Sequence, residues 1–327
     1  MESMEHQLNE AEIRTRKTLI NAMGSSILEY LADTNVLELA VNTDQRLWID
    51  TFDRGWVDTG HKVLPSIAKQ IIYGVAAMAD TVIDVENKPY LEAEMKPWEP
   101  YWSKCRFQAE LPDIVDVPIF NIRKHARTVF TLDDYVRQGT MTERQREVIL
   151  QGIQNHENII AAGGTSSGKT TLLNAILDKV SDTGDRLVII EDTPELQCNA
   201  PNHVRLKTQK PYIDMNELLR MSLRLSPRRI VVGEVRGKEA LTLLKAWNTG
   251  HDGGCATLHS DSALESLYRL EQMISEISVS PQQRTIGQAV GMVIYIKKDG
   301  VKRKVSEIIR VKKYNPQSQE YEIEQVV

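Results

Sequence analysis

The sequence predicts an α/β protein: a parallel sheet covered by helices on both faces, preceded by a smaller α+β domain and a linker. Three observations carry that prediction. From residue 143 onward, helical runs alternate with short apolar strands, the order expected of strand–helix–strand units around a parallel sheet. One of these strands runs into a glycine-spaced loop and then into a stretch of good helix formers, GGTSSGKTTLLNAIL. Before about residue 130 the pattern is different, with short alternating strands mixed with helical stretches, and 327 residues suffice for two domains.

Taken in order, residues 37–42 and 46–51 alternate around Thr43, Asp44 and Gln45 and read as a hairpin, while 67–78 read as a helix. Pro112, Pro118 and the polar stretch 123–127 mark a junction over 121–140, so the domains are read as 1–125, a linker at 126–140, and 141–327. Within that junction Thr131 or Asp133 would cap a short helix ending near Gly139. The predicted strands of the second domain are 158–162, 186–191, 204–207, 230–234, 254–259 and 290–297. Its predicted helices are 169–180, 214–225, 237–248 and 262–277. Asp299 and Gly300 favour a tight turn between two strand-like segments, and 305–314 would pair with 320–326 as an antiparallel ribbon.

Composition narrows the class. With 41% hydrophobic residues the chain can bury a full core, and 40 Lys and Arg against 45 Asp and Glu give a net charge of −5. That balance offers no global attraction to nucleic acid or anionic lipid, so any such contact must be local, and direct DNA binding stays open. The longest apolar runs, 71–79 and 289–296, fall short of the roughly 20 residues of a membrane-spanning helix. The start, MESMEHQLNEAEIR, is acidic and polar where a signal peptide is basic and then apolar. A cytoplasmic chain with no transmembrane segment is expected. The three cysteines, Cys105, Cys198 and Cys255, are far apart and read as reduced, partly buried thiols.

Gly163, Gly164, Thr165, Ser166, Ser167, Gly168, Lys169 and Thr170 match the phosphate-loop spacing, GxxxxGK followed by Ser or Thr, between an apolar strand and a helix. Gly163 and Gly168 allow backbone angles and an approach that a Cβ would forbid, so successive N–H groups can wrap a phosphate chain at a helix N-terminus. Lys169 would reach the β- and γ-phosphates of ATP and the Thr170 hydroxyl would ligate Mg²⁺. Thr171 would bond an α-phosphate or cap the helix.

Such a loop needs a carboxylate at the end of a neighbouring strand, and two strands offer one. RIVVGE ends in Glu234, with Gly233 where the magnesium-holding aspartate usually lies. Glu234 is the candidate to orient or deprotonate water, against a plain strand-end glutamate. RLVIIEDTPELQ places Glu191, Asp192 and Glu195 within five residues. Either a cation, arginine or Mg²⁺, sits there, with Glu195 taking the metal role that Gly233 cannot fill, or the turn is simply solvated.

His259 ends an apolar strand on the ligand side, where it could bond the γ-phosphate or a carboxylate; His251 is a weaker candidate for the same work. Arg220 and Arg224 share one helix face, followed by Arg228 and Arg229. These, with Arg236 and the linker Arg123, are candidates for γ-phosphate contacts within one chain or from a neighbouring subunit, with ion pairs to the acidic cluster as the alternative. Lys297, Lys298, Lys302, Arg303, Lys304, Arg310, Lys312 and Lys313 make the C-terminal ribbon basic, either a charged edge that resists strand pairing or a contact for a partner or DNA.

Four elements in fixed order, GGTSSGKTT, IIEDTPELQ, RRIVVGEVRG and TGHDGGCATLHS, resemble the Walker A, Asp box, Walker B and His box of the type II/type IV secretion ATPase superfamily. The resemblance covers at least residues 121–296, and NVLELAVNTDQRLWID is similar to the N-terminal domain of the same superfamily. Length and the compact first domain are most like its conjugal-transfer members. The resemblance implies a RecA-like P-loop NTPase core and a homo-hexameric ring docked on an inner-membrane secretion or conjugation complex, with nucleotide held between the two domains of each chain. It places Lys169, Thr170, Glu195, Glu234, Arg220, Arg236 and His259 on motif positions. Three departures stand out: the four-cysteine zinc element and an AIRNLIRE-like segment of some members are missing, and Arg228 replaces an aspartate common after the proline. The expected function is an ATP-hydrolysing motor of a type IV secretion or conjugal transfer apparatus. A type IV pilus or type II secretion motor, a RecA-like DNA translocase or helicase, and a regulator that only binds nucleotide are the alternatives.

Overall fold

The computed structural model describes residues 10–125, 130–209, 211–300 and 302–326. Residues 1–9 of the acidic start and 126–129 of the expected linker lie outside the described residues. The chain divides into two compact units, Met1–Arg127 and Thr128–Val327.

In the first unit α1 (Glu10–Ala32) buries Leu19, Met23, Ile27 and Leu31, a stripe at a spacing of four. Gly24 interrupts it with φ 64°, a left-handed conformation that glycine adopts without Cβ strain. There follow β1 (Val36–Val41), β2 (Arg46–Thr51), β3 (Gly55–Lys62), α2 (Pro65–Met78), β4 (Tyr90–Met95), β5 (Cys105–Glu110) and β6 (Ile119–Lys124). They form a six-stranded antiparallel sheet in the order β3-β2-β1-β6-β5-β4. Leu39, Leu47, Ile49, Phe107, Phe120 and Ile122 point to one face and share a core with α1 and α2. The expected hairpin is β1–β2, and α2 starts at Pro65, which sits without strain in a first turn.

The second unit opens, among the described residues, with α3 (Leu132–Arg137) and α4 (Glu143–Gln154), each begun by a capping box in which Thr131 pairs with Asp134 and Thr142 with Gln145. Leu132, Tyr135 and Met141 are buried in this unit's core, so the segment from 132 onward, expected as linker, packs as part of the unit. Then come β7 (Ile159–Gly163), α5 (Lys169–Ser181), β8 (Leu187–Glu191), β9 (His203–Lys207), α6 (Met215–Ser222), β10 (Arg229–Val235), α7 (Glu239–Trp247), β11 (Cys255–His259), α8 (Glu265–Ser275), α9 (Gln283–Ala289), β12 (Met292–Asp299), β13 (Lys302–Asn315) and β14 (Glu320–Gln325).

These strands form an eight-stranded sheet in the order β14-β13-β12-β7-β11-β10-β8-β9. Neighbours from β12 to β9 are parallel, and β13 and β14 extend the sheet as an antiparallel ribbon. Successive residues serve opposite faces. Ile160, Val188, Ile190, Ile230 and Val232 pack with α6 to α9, whereas Ile159, Leu187, Ile189 and Val231 pack with α3 to α5. Two covered faces explain why β7 and β8 are buried throughout and, up to Glu191 at the end of β8, apolar instead of alternating. Because the strands are parallel, the ends of β7, β8, β10 and β11 open on one edge, the usual place for a ligand in such a sheet.

Candidate nucleotide site

The loop from Gly163 to Lys169 has no room for a side chain at Gly163 and little at Gly168, whereas Gly164 faces open space. A Cβ on Gly163 would lie 2.2 Å from the Ile296 carbonyl oxygen and 2.6 Å from Ser167 Oγ. Gly168, at φ 98°, caps α5, and a Cβ there would lie 3.2 Å from Arg303 Cδ. The first turn of α5 therefore begins at Lys169, with N–H groups that have no partner within the helix. Lys169 is 7% exposed, and its Nζ donates to the Gly164 carbonyl at 2.7 Å. The Ser167 hydroxyl is buried inside the loop with no hydrogen-bond partner among the described residues.

Strand order explains what faces Lys169. Strand β11 lies between β7 and β10 and pairs in register, His259 opposite Gly163. His259 thus stands between the lysine and the Walker B strand. Lys169 Nζ is 3.3 Å from His259 Nε2 and 3.5 Å from Nδ1, and Nε2 is 3.1 Å from Glu234 Oε1. Arg236 Nη2 donates to Glu234 Oε2 at 2.5 Å, and its Nη1 lies 3.7 Å from Asp192 Oδ2. Hydrogen bonding to Glu234, above all, raises the Arg236 pKa further. The β10–β11 register slips between Val232 and Val235, a bulge at Gly233 and Glu234. Thr257 Oγ donates to the Gly233 carbonyl at 2.7 Å there. A bulge of this kind re-aims a side chain, here Glu234 toward His259.

The acidic turn is neutralised by arginine, and its three carboxylates face different ways. Glu191 is 4% exposed, and its Oε1 accepts the N–H groups of Glu195 and Leu196, both at 2.8 Å. Its Oε2 lies 3.7 Å from Arg205 Nη1. Burial pushes the Glu191 carboxyl above the ordinary range, against the pull of those two amides and of Arg205. Asp192 accepts from Thr208 Oγ at 2.9 Å and faces Arg236; Glu195 is half-buried, and its charge also acts on Arg236. Gly233 has a steric reason: a Cβ there would lie 3.0 Å from Glu191 Cγ. Among the described residues no group of three or more His, Cys, Asp or Glu is placed to hold a metal ion.

Several candidates stand elsewhere. Arg229 begins β10 at the opposite edge of the sheet and is 1% exposed, with Nε 2.6 Å from Asp185 Oδ2 and further bonds to the Gly253 and Ile153 carbonyls. It cannot reach a phosphate at the Lys169 edge. Arg228 pairs with Asp252, and His251 Nδ1 lies 2.8 Å from the Pro227 carbonyl, at the same far edge. The expectation of γ-phosphate contacts from Arg228, Arg229 and His251 within one chain is therefore corrected. Arg220 is exposed in the last turn of α6, and neither it nor Arg224 makes an ion pair among the described residues. Arg123 is a strand residue of β6 in the first unit, opposite Glu38 and Arg106, and so is not in the linker. On the basic ribbon, Lys297 faces Lys304 and Lys298 faces Arg303. Lys312 pairs with Glu324, Lys313 with Glu322 and Arg310 with Glu157. The three cysteines are buried thiols, and burial pushes that of Cys255 up to about 12.

Asn174, Arg205 and the contact of Arg303 with Gly168 escape a sequence reading, because polar residues inside a helix or on an edge strand carry no spacing signal. No helix of the described residues is long and apolar enough to cross a membrane.

Residues 104–310 match the family described as type II/IV secretion system protein. A probable conjugal transfer protein TrbB of Sinorhizobium fredii is 42% identical over 319 residues, 95% of this chain and 93% of its own. The type IV secretion system protein PtlH of Bordetella pertussis is 33% identical, with 61% of each chain covered. Among solved structures, the ATPase DotB of Legionella pneumophila superposes with a TM-score of 0.63 at 22% identity, over 85% of this chain and 77% of its own, a likeness of fold.

Proposed function

The chain belongs to the type II/IV secretion system protein family, and from that premise we propose that it is an ATP-hydrolysing motor of a type IV secretion apparatus serving conjugal DNA transfer. The relatives named for conjugal transfer and type IV secretion support the setting. The observation that carries the chemistry is the contact row Lys169, His259, Glu234 and Arg236, assembled by three neighbouring strands around a glycine-walled loop.

The residues fit a nucleotide with its Mg²⁺. The loop is a cradle that a Cβ at Gly163 would fill, and the buried Ser167 hydroxyl lacks a partner within it. Mg²⁺ characteristically keeps several waters and takes one or two protein ligands plus phosphate oxygens, so a dedicated three-carboxylate cage is not required. The Thr170 hydroxyl would hold it, with Glu195 and Glu234 facing its waters. When bound, it neutralises charge on the β- and γ-phosphates.

Backbone N–H groups of Gly164, Thr165, Ser166, Ser167 and Gly168, with those of Lys169, Thr170 and Thr171 at the start of α5, bind the phosphate chain. Lys169 exchanges the Gly164 carbonyl for phosphate oxygen. Glu234 orients the attacking water and accepts its proton, and the Arg236 hydrogen bond holds that carboxylate in place. His259, in reach of both Lys169 and Glu234, relays the presence of the γ-phosphate to the Walker B strand. Arg220, exposed in the last turn of α6, is available to the γ-phosphate of a neighbouring subunit. These roles require a ring, and a homo-hexamer docked on an inner-membrane complex is the assembly that fits.

The test is ATP turnover on size-fractionated protein, wild type beside Lys169→Ala. Turnover confined to a ring-sized fraction and lost in the variant supports the motor; an equally active monomer contradicts it.

A further inference from the structure

The turn that carries Glu195 is clamped by three polar side chains of three different elements, of which only Glu191 lies within a motif, and none has been given a role in holding this turn. Glu191, at the end of β8, accepts the N–H groups of Glu195 and Leu196, both at 2.8 Å. Asn174, on the phosphate-loop helix α5, is 2% exposed and uses both ends of its amide on the same turn. Its Oδ1 accepts the Gln197 N–H at 2.8 Å, and its Nδ2 donates to the Glu195 carbonyl at 3.4 Å. Arg205, on the edge strand β9, donates from Nη1 to the Leu196 carbonyl at 2.7 Å and faces Glu191 Oε2.

Glu195 is therefore fixed on both sides of its own peptide, at N–H by β8 and at C=O by α5. Asn174 lies one turn beyond Thr170, so the helix that presents the hydroxyl to the phosphates also sets the height of the acidic turn. A buried amide with both ends spent on backbone is an ordering device: truncation would leave a part-buried donor at Gln197 and a part-buried acceptor at Glu195 without that partner. Gly233 completes the arrangement, since a Cβ there would press on Glu191 Cγ at 3.0 Å.

We infer that Asn174, Glu191 and Arg205 are positioning residues that hold Glu195 at a set distance from Thr170, so that the turn and the phosphate-loop helix present their oxygens to one hydrated Mg²⁺ as a unit. The inference rests on the metal role given to Glu195 above. Groups that orient metal ligands typically alter affinity or activity by about 10- to 100-fold when removed.

The experiment uses the full chain in four forms: wild type, Asn174→Leu, Arg205→Gln and Glu195→Gln. Hydrogen exchange over residues 192–198 is measured without nucleotide, nucleotide affinity is measured in EDTA, and ATP turnover is titrated with Mg²⁺. The expectation is exchange of the 195–197 amides about tenfold faster in Asn174→Leu, as loss of a hydrogen bond implies. Affinity in EDTA should be unchanged, and the Mg²⁺ concentration for half-maximal turnover should rise about tenfold or more in Asn174→Leu and Glu195→Gln alike. Arg205→Gln sits on a more exposed edge strand, so it carries the same readout at Leu196 if Asn174→Leu does not fold. Unchanged exchange overturns the inference. Faster exchange with an unshifted Mg²⁺ titration, while Glu195→Gln shifts it, also overturns it and leaves the Glu195 reading intact. If Glu195→Gln itself shifts nothing, the reading of Glu195 fails and the inference falls with it.

Discussion

Restoring the aspartate that Walker B strands usually carry should damage this protein, and the structure gives the size of the effect. In Gly233→Asp the new Cβ would lie 3.0 Å from Glu191 Cγ and 3.5 Å from Oε1, so Glu191 must move or the strand must shift. Overpacking of this kind costs about 1–3 kcal/mol. The second carboxylate adds repulsion of about 4 kcal/mol for two charges about 4 Å apart at an effective dielectric constant of about 20. Protonating one member of the pair at pH 7 limits that term to about the same 4 kcal/mol, three pH units from an ordinary carboxyl. Gly233→Ala carries the steric part alone, so the two variants should differ by about 3–4 kcal/mol at pH 7. For a unit of this size that is a difference of about 6–16 °C in Tm, at about 2–4 °C per kcal/mol. The repelled acid has a folded-state pKa above its unfolded value, so the folded state binds more protons and the gap between Asp and Ala narrows as pH falls toward 5. Removing Glu191 in the same chain, as Glu191→Ala with Gly233→Asp, should restore part of the loss. Thermal melts of the four proteins at pH 7 and pH 5 decide it. A Gly233→Asp protein as stable and as active as wild type at pH 7 would refute the claim that Glu191 fills this space.

Arg229→Met should destabilise by about 3–5 kcal/mol, because Asp185 and two carbonyls lose a buried partner, yet leave nucleotide affinity of the folded protein unchanged; a fluorescent-nucleotide titration at low temperature checks the second half. Glu191→Gln keeps an acceptor for the two amides but not the charge. Because the Glu191 carboxyl is raised by burial, the folded wild type binds the extra proton, so its stability relative to Glu191→Gln should improve as pH falls from 7 toward 5. Paired denaturant titrations at the two pH values measure it, and an opposite slope contradicts the assignment. His259→Ala should leave nucleotide affinity within about threefold while lowering turnover about tenfold or more, as expected of a group whose contact matters after binding; loss of affinity alone would place His259 in ground-state binding.

Much of the second unit was legible because its strands are buried on both faces: β7, β8 and β10 are apolar runs that turn chemistry bounds on each side. The phosphate loop was legible for the same reason that it works, since a Cβ at 163 or 168 would come closer than van der Waals contact to a carbonyl or a side chain, and Gly168 also sits at φ 98°. The order of strands was not. Only the insertion of β11 between β7 and β10 puts His259 between Lys169 and Glu234, and no local spacing records it. Arginines were the hardest residues to place. Arg229 starts β10 and Arg236 follows its last residue seven positions on, but opposite ends of a parallel strand are opposite edges of the sheet, one packed against Asp185 and the other open to Glu234. In the first unit the hairpin was plain, whereas β3 to β6 were not individually placed, because short alternating segments between polar turns do not declare their partners. The segment 132–140 read as linker because polar residues outnumber apolar ones there; Leu132 and Tyr135 within it, and Met141 just after it, are enough to anchor it.

The central claim is that Glu234, held between His259 and Arg236, activates water at a phosphate loop that binds ATP without it. Its most direct test is Glu234→Gln, measured for nucleotide affinity and single-site turnover side by side. The account predicts affinity within a few-fold of wild type and turnover lower by about 10²- to 10⁴-fold, the contribution of a positioned general base. Turnover that survives the substitution would contradict it.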